Sequence, residues 1–145
     1  MNRLIPLTAL LIGATGCDEI TPEDGGHAVT EPASVSCTVY TRLSPYNGGS
    51  SDFSEVSITA TPSDDWVEVT AEDFLFQLRY AETDDFNSGF VKVYIWPVDS
   101  EQMPYDALNE VLHTPPEAGT AGFTGLQYVY HPISASELQY TCDAG

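Results

Sequence analysis

Phe74-Leu75-Phe76-Gln77-Leu78-Arg79-Tyr80-Ala81 and Phe90-Val91-Lys92-Val93-Tyr94-Ile95-Trp96-Pro97-Val98 decide the fold class of this chain. In the first run Phe74, Phe76, Leu78 and Tyr80 recur at every second position. In the second, Val91, Val93 and Ile95 share one side while Phe90, Lys92, Tyr94 and Trp96 share the other. A period of two places alternate side chains on opposite faces of a pleated strand, so both runs are predicted strands. Glu82 to Gly89, containing Asp84-Asp85-Phe86-Asn87-Ser88, is a polar connection of hairpin length and makes the pair antiparallel. Pro97 ends the second run, because proline has no N–H to give to a ladder.

Outward from this hairpin the same period recurs. Val35, Cys37, Val39, Thr41 and Leu43 alternate with Ser36, Thr38, Tyr40 and Arg42; Val56, Ile58 and Ala60 alternate with Ser57 and Thr59; a short run spans Trp66 to Thr70. The turn formers Ser44-Pro45-Tyr46-Asn47-Gly48-Gly49-Ser50-Ser51 and Pro62-Ser63-Asp64-Asp65 separate them. On the far side, Leu126 to His131 and Glu137 to Cys142 read as two closing strands. Between the halves, Leu108, Val111 and Leu112 fall at helical spacing after Pro104 and before Thr114-Pro115-Pro116, which predicts a short helix over Pro104 to His113. Seven strands with regular turn signals predict an antiparallel β-sandwich, immunoglobulin-like or a similar Greek key, with at most one short helix.

Cys37 and Cys142 fall on predicted inward faces of the first and last strands, so a disulfide between them is expected. The closed loop of about 105 residues would remove chain entropy worth up to about 4.7 kcal/mol. The close spacing that metal or redox cysteine pairs use, as in C-x-x-C, is absent from the sequence.

The third cysteine, Cys17, closes a stretch that opens with Arg3, runs apolar from Leu4 to Ile12 and ends in Gly13, Ala14, Thr15 and Gly16. That layout is an export signal. Its end, Ala14-Thr15-Gly16-Cys17, resembles the lipobox of bacterial lipoproteins, with Ala14 where leucine is commonest. Ala14 and Gly16 also meet the small-x-small cleavage rule of soluble secretory proteins. The even count of cysteines beyond Cys17 favours the lipoprotein layout. The resemblance implies cleavage before Cys17, an acyl anchor such as palmitate on it, and an extracytoplasmic location on a membrane of the bacterial cell envelope. The apolar run is short of the ~20 residues that span a bilayer, and Pro6 interrupts it.

The expected organisation is therefore a signal peptide over 1–16, an acidic flexible tether over 17–32 and a single β-sandwich domain over 33–145. Five acids, two prolines and Gly25-Gly26 give the tether almost nothing to bury. Its reach is roughly 20 Å, which exceeds the screening length of ~8 Å, so the domain rides clear of the bilayer. The whole chain carries −18, and losing Arg3 with the signal makes the mature protein one unit more negative. Such charge excludes nucleic acid, and anionic lipid headgroups, as partners bound by electrostatics. Six Phe, eight Tyr and two Trp argue for a packed domain.

No pattern of catalysis is visible, and the sequence is read as that of a protein without enzymatic activity. His27, His113 and His131 lack zinc spacing, no Gly-x-Ser-x-Gly elbow occurs, and Gly119, Gly122 and Gly125 lack the Lys-Ser/Thr ending of a phosphate loop. Asp84, Asp85 and Asn87 place oxygens where a loose calcium site is expected, although the twelfth position from Asp85 is Trp96 rather than glutamate. Two functional classes remain. In the first, Phe90, Tyr94 and Trp96 form an aromatic sheet face, with Tyr128 and Tyr130 as a neighbouring row, that binds an envelope glycan or protein. In the second, those rings are core, and the chain is a structural or assembly component of the envelope with no small ligand. Exposure of Tyr94 and Trp96 separates the two.

Overall fold

The computed structural model describes residues 30–44, 48, 52–63, 65–83 and 88–145. Cys17, with the signal and most of the tether, and the expected calcium ligands Asp84, Asp85 and Asn87 lie outside the described residues. Among the described residues eight strands follow one another: β1 (Val35–Arg42), β2 (Ser54–Ala60), β3 (Val67–Ala71), β4 (Phe74–Thr83), β5 (Ser88–Pro97), β6 (Asn109–His113), β7 (Gln127–Tyr130) and β8 (Glu137–Ala144). They form two four-stranded sheets, the first in the order β2-β1-β8-β7 and the second in the order β3-β4-β5-β6, with every neighbouring pair antiparallel. The expected β-sandwich is thus present. Its second sheet is a simple meander and its first consists of two hairpins joined through the chain's terminal strands, whereas an immunoglobulin domain spreads consecutive strands between its sheets.

The alternation in the sequence maps onto the sandwich directly. Val35, Cys37 and Val39 of β1, Phe74, Phe76, Leu78 and Tyr80 of β4, Val91, Val93 and Ile95 of β5, and Leu138, Tyr140 and Cys142 of β8 are all fully buried in one core. Phe76 and Tyr140 meet edge to face across the sheets with centroids 5.1 Å apart. Cys37 lies opposite Cys142 in the β1–β8 register, and the two are joined by a disulfide. The first and last strands of the domain are therefore tied covalently at the middle of the first sheet.

The expected helix over Pro104 to His113 is corrected by the structure. Pro104–Asp106 is a single 3-10 turn, and Asn109–His113 is strand β6, paired with Val91 to Ile95. The helical spacing of Leu108, Val111 and Leu112 is outweighed by the free edge of β5, which offers five residues a ladder. Asn109, Val111 and His113 then turn toward the interior, and Leu112 points outward, 65% exposed. A run of five residues in which only alternate positions are inward carries too little apolar contrast to announce itself.

The hairpin connection is shorter than its sequence implied, since Thr83 already pairs with Ser88. Gly89 makes that tightness possible: its φ is +66°, and a Cβ there would stand 2.8 Å from the Thr83 backbone nitrogen. At the other end of the chain's path, ordered contacts begin before Ala33. Thr30 accepts from the Ala118 N–H, the Glu31 carboxylate accepts from the Thr83 N–H, and the carbonyl of the buried Pro32 accepts from the Tyr80 hydroxyl at 2.9 Å.

Candidate functional site

The two sets of rings singled out in the sequence lie on different sheets. Because β7 pairs with β8 and not with β5 or β6, Tyr128 and Tyr130 face outward from the first sheet, while Phe90, Tyr94 and Trp96 face outward from the second. Neither set belongs to the core between the sheets. The expectation of one continuous aromatic surface is corrected accordingly: the rings form two surfaces on opposite sides of the domain.

On the second sheet the rings are packed among themselves. Tyr94 touches Trp66 on one side, with centroids 5.3 Å apart, and Trp96 on the other, at 4.9 Å. Trp66 precedes β3 and was not legible as a partner, because nothing in its local sequence shows which strand β3 will pair with. The polar tips are occupied. Trp96 donates its indole N–H to Gln77 Oε1 at 2.8 Å, and the Gln77 amide donates in turn to Glu68 and to Gln102 of the loop after β5. Tyr94 donates its hydroxyl proton to Glu110 at 2.7 Å, and Lys92 pairs with the same carboxylate while its ammonium stands 4.6 Å from the Tyr94 ring centre. Those contacts raise the Lys92 pKa, chiefly through the hydrogen bond to Glu110, and lower that of Glu110, chiefly through the one from Lys92. Trp96 is only 4% exposed and Tyr94 is half-buried, whereas Phe90 is half-buried beneath the Arg79 guanidinium.

The first sheet's outer surface is built differently. Its centre is polar: Ser36 and Thr59 share a hydrogen bond, and Arg42 of β1 pairs with Glu137 of β8, whose other oxygen accepts from the Gln139 amide at 2.6 Å. Beside this centre, at the sheet edge, Tyr128 lies opposite Gln139 and Tyr130 opposite Glu137. Tyr128 is 53% exposed and Tyr130 62%, and no hydrogen bond ties either hydroxyl to another described residue. Leu126 continues the row and is also exposed. Two rings spaced two residues apart on a strand stand about 7 Å from one another. They present flat apolar faces beside an array of fixed donors and acceptors.

One further cluster brings together serine, histidine and aspartate. Ser134 and Ser136 both donate to Asp73 Oδ2 at 2.6 Å, and the Asp73 pKa is lowered, chiefly by those two hydroxyls in that order. His131 uses Nδ1 to accept the N–H groups of Ile133 and Ser134. The serines therefore face the carboxylate, and the imidazole faces backbone; this is a clamp on the turn between β7 and β8, without the serine-to-imidazole contact that nucleophilic catalysis requires. Among the described residues no group of three or more His, Cys, Asp and Glu side chains is placed to hold a metal ion.

Compared with known proteins, the chain matches no family model, no curated protein and no solved structure.

Proposed function

We propose that this chain is a lipid-anchored, extracytoplasmic binding module of the bacterial envelope that holds a glycan on the outer surface of its first sheet and performs no catalysis. The observation that carries the reading is the exposure of Tyr128 and Tyr130 on one face of a paired strand. Exposed phenol rings on a rigid support match the apolar C–H faces of pyranose rings, and the Tyr128 and Tyr130 hydroxyls, bonded to no described residue, offer hydrogen-bonding groups to sugar hydroxyls. The export layout ending at Cys17 supports the location, and the Cys37–Cys142 disulfide suits an oxidising compartment. Mass spectrometry of the mature N-terminus tests the anchor: an acylated Cys17 is expected, and an unmodified one contradicts it.

Binding is tested by calorimetric titration of the folded domain with soluble peptidoglycan fragments and with chito- and cello-oligosaccharides. The expected result is saturable binding of at least one of them that is lost in Tyr128→Ala/Tyr130→Ala. Failure of every glycan to bind would sink the reading. The other reading, a structural component of the envelope without a small ligand, draws support from the burial of Trp96 and the internal hydrogen bonding of its tip. It predicts that no titration produces heat and that the domain is instead recovered in a detergent-stable complex with other envelope proteins.

A further inference from the structure

At the end of the sandwich where β5 and β7 finish, two segments stand apart and leave an open groove of about 690 Å³. One wall is the loop after β5, with Asp99, Glu101, Tyr105 and Asp106; the other is the turn after β7, with Pro132 and Ile133. Both walls are anchored through one residue. The Asp73 carbonyl accepts from the Val98 N–H at 2.9 Å, and its carboxylate gathers Ser134 and Ser136. Leu108 N–H bonds to the Ile95 carbonyl, and Asp106 N–H to the Met103 carbonyl, so the first wall is also fixed to β5 and closed upon itself. The groove is therefore held open by the fold.

Its chemistry is specific in two respects. Tyr105 is 80% exposed and Ile133 90%, which leaves two large apolar side chains uncovered on opposite walls. Among the described residues the lining carries three carboxylates and one imidazole, His131, whose Nδ1 is turned to the backbone of its own turn, and neither lysine nor arginine. We infer that this groove docks a basic segment of a partner protein, one that places a lysine or arginine among Asp99, Glu101 and Asp106 and an apolar side chain between Tyr105 and Ile133. Charge complementarity selects the occupant. Anionic ligands are repelled, and so is a second copy of this chain, which carries −18 overall and whose Arg42 and Lys92 are paired with Glu137 and Glu110 while Arg79 lies over Phe90. A small amine would neutralise the acids but leave the tips of Tyr105 and Ile133 in water, whereas a polypeptide crossing the groove covers both. The site shares no residue with the tyrosine row and stands whether or not that row binds glycan.

The test uses the full mature protein and three probes: a ten-residue peptide bearing two lysines, an arginine and a leucine; the same peptide with its basic residues replaced by glutamate; and spermine. Binding is followed by fluorescence anisotropy for the peptides and calorimetry for spermine. The basic peptide is expected to bind, and to be weakened about tenfold or more by Asp99→Asn/Glu101→Gln/Asp106→Asn and, separately, by Ile133→Ser. Glu55→Gln/Glu82→Gln/Glu117→Gln, which removes the same charge from exposed positions elsewhere, is expected to leave binding within about twofold. Absence of binding, equal loss in the two charge variants, or spermine binding as tightly as the peptide would each overturn the proposal. Circular dichroism melts of the variants separate a lost contact from a lost fold.

Discussion

The two outer surfaces of the sandwich both carry aromatic rings and treat them in opposite ways. On the second sheet, Tyr94 contacts both Trp66 and Trp96, and Gln77, Glu110 and Lys92 engage the polar tips. On the first, Tyr128 and Tyr130 stand in solvent beside a polar array whose groups are bound to one another. Aromatic content therefore does not by itself mark a binding surface; what matters is whether the hydrogen-bonding and stacking capacity of each ring is already used within the molecule. The second surface stabilises the sheet that carries it. The first leaves capacity for a partner.

The largest expected effect concerns the support of the open surface. Removing the disulfide with Cys37→Ala/Cys142→Ala should cost roughly 2 to 5 kcal/mol in denaturant unfolding, because the tie spans a separation of 105 residues. A loss below about 1 kcal/mol would mean that the ladders of β1 and β8 alone hold the first sheet. Next comes Trp96→Ala. Loss of the ring and of the hydrogen bond to Gln77 Oε1 should cost about 3 kcal/mol, and glycan binding by the surviving fold should be unchanged. If binding disappears while the fold persists, the two surfaces do not divide labour as described.

A smaller effect depends on pH and involves two groups of the second sheet, one on β6 and one in the turn between β3 and β4. Burial lowers the His113 pKa, and its Nε2 is buried without a hydrogen-bond partner among the described residues. Since the folded value lies below the unfolded 6.5, protonation favours the unfolded chain. Stability linked to this group is fully present above that pH and declines as pH falls below it. His113→Leu should abolish this decline and raise stability at neutral pH by up to about 1 kcal/mol. The Asp73 clamp responds at lower pH: its folded pKa is depressed below 3.8, so its contribution is retained above that value and lost as pH falls further. A melt series from pH 8 to 3 on wild type, His113→Leu and Asp73→Asn resolves the two windows.

Much of this architecture is legible before any coordinates. Alternation in Val35–Arg42 and Phe74–Thr83 names the strands and their inward faces, whereas Ser88–Pro97 is apolar on both sides, and only the pairing of the sheets decides that Val91, Val93 and Ile95 line the core while Tyr94 and Trp96 do not. The disulfide follows from the same parity, as Cys37 and Cys142 share it with the buried valines and tyrosine. Strand β6 is not legible, since Asn109 and His113 occupy inward positions where apolar residues would have declared the period. Sheet membership is not legible either. Parity groups Tyr128 with Tyr130 and Trp96 with Tyr94 but says neither which face is inward nor which sheet receives β7, so the two separate aromatic surfaces emerge only when long-range pairing is known. The groove is further from reach, because its walls are fixed through Asp73, which lies some sixty residues from the Ser134 and Ser136 that it holds by hydrogen bonds.

The most direct test of the division between the surfaces is a glycan titration monitored by heteronuclear NMR on the isotopically labelled domain. The backbone amides of Gln127 to Tyr130 and Glu137 to Gln139 should shift in a saturable manner, those of Val93 to Trp96 should remain in place, and Tyr128→Ala/Tyr130→Ala should abolish the shifts without altering the melting temperature by more than about 2 °C. Saturable shifts centred on Tyr94 and Trp96, with β7 unmoved, would contradict the account.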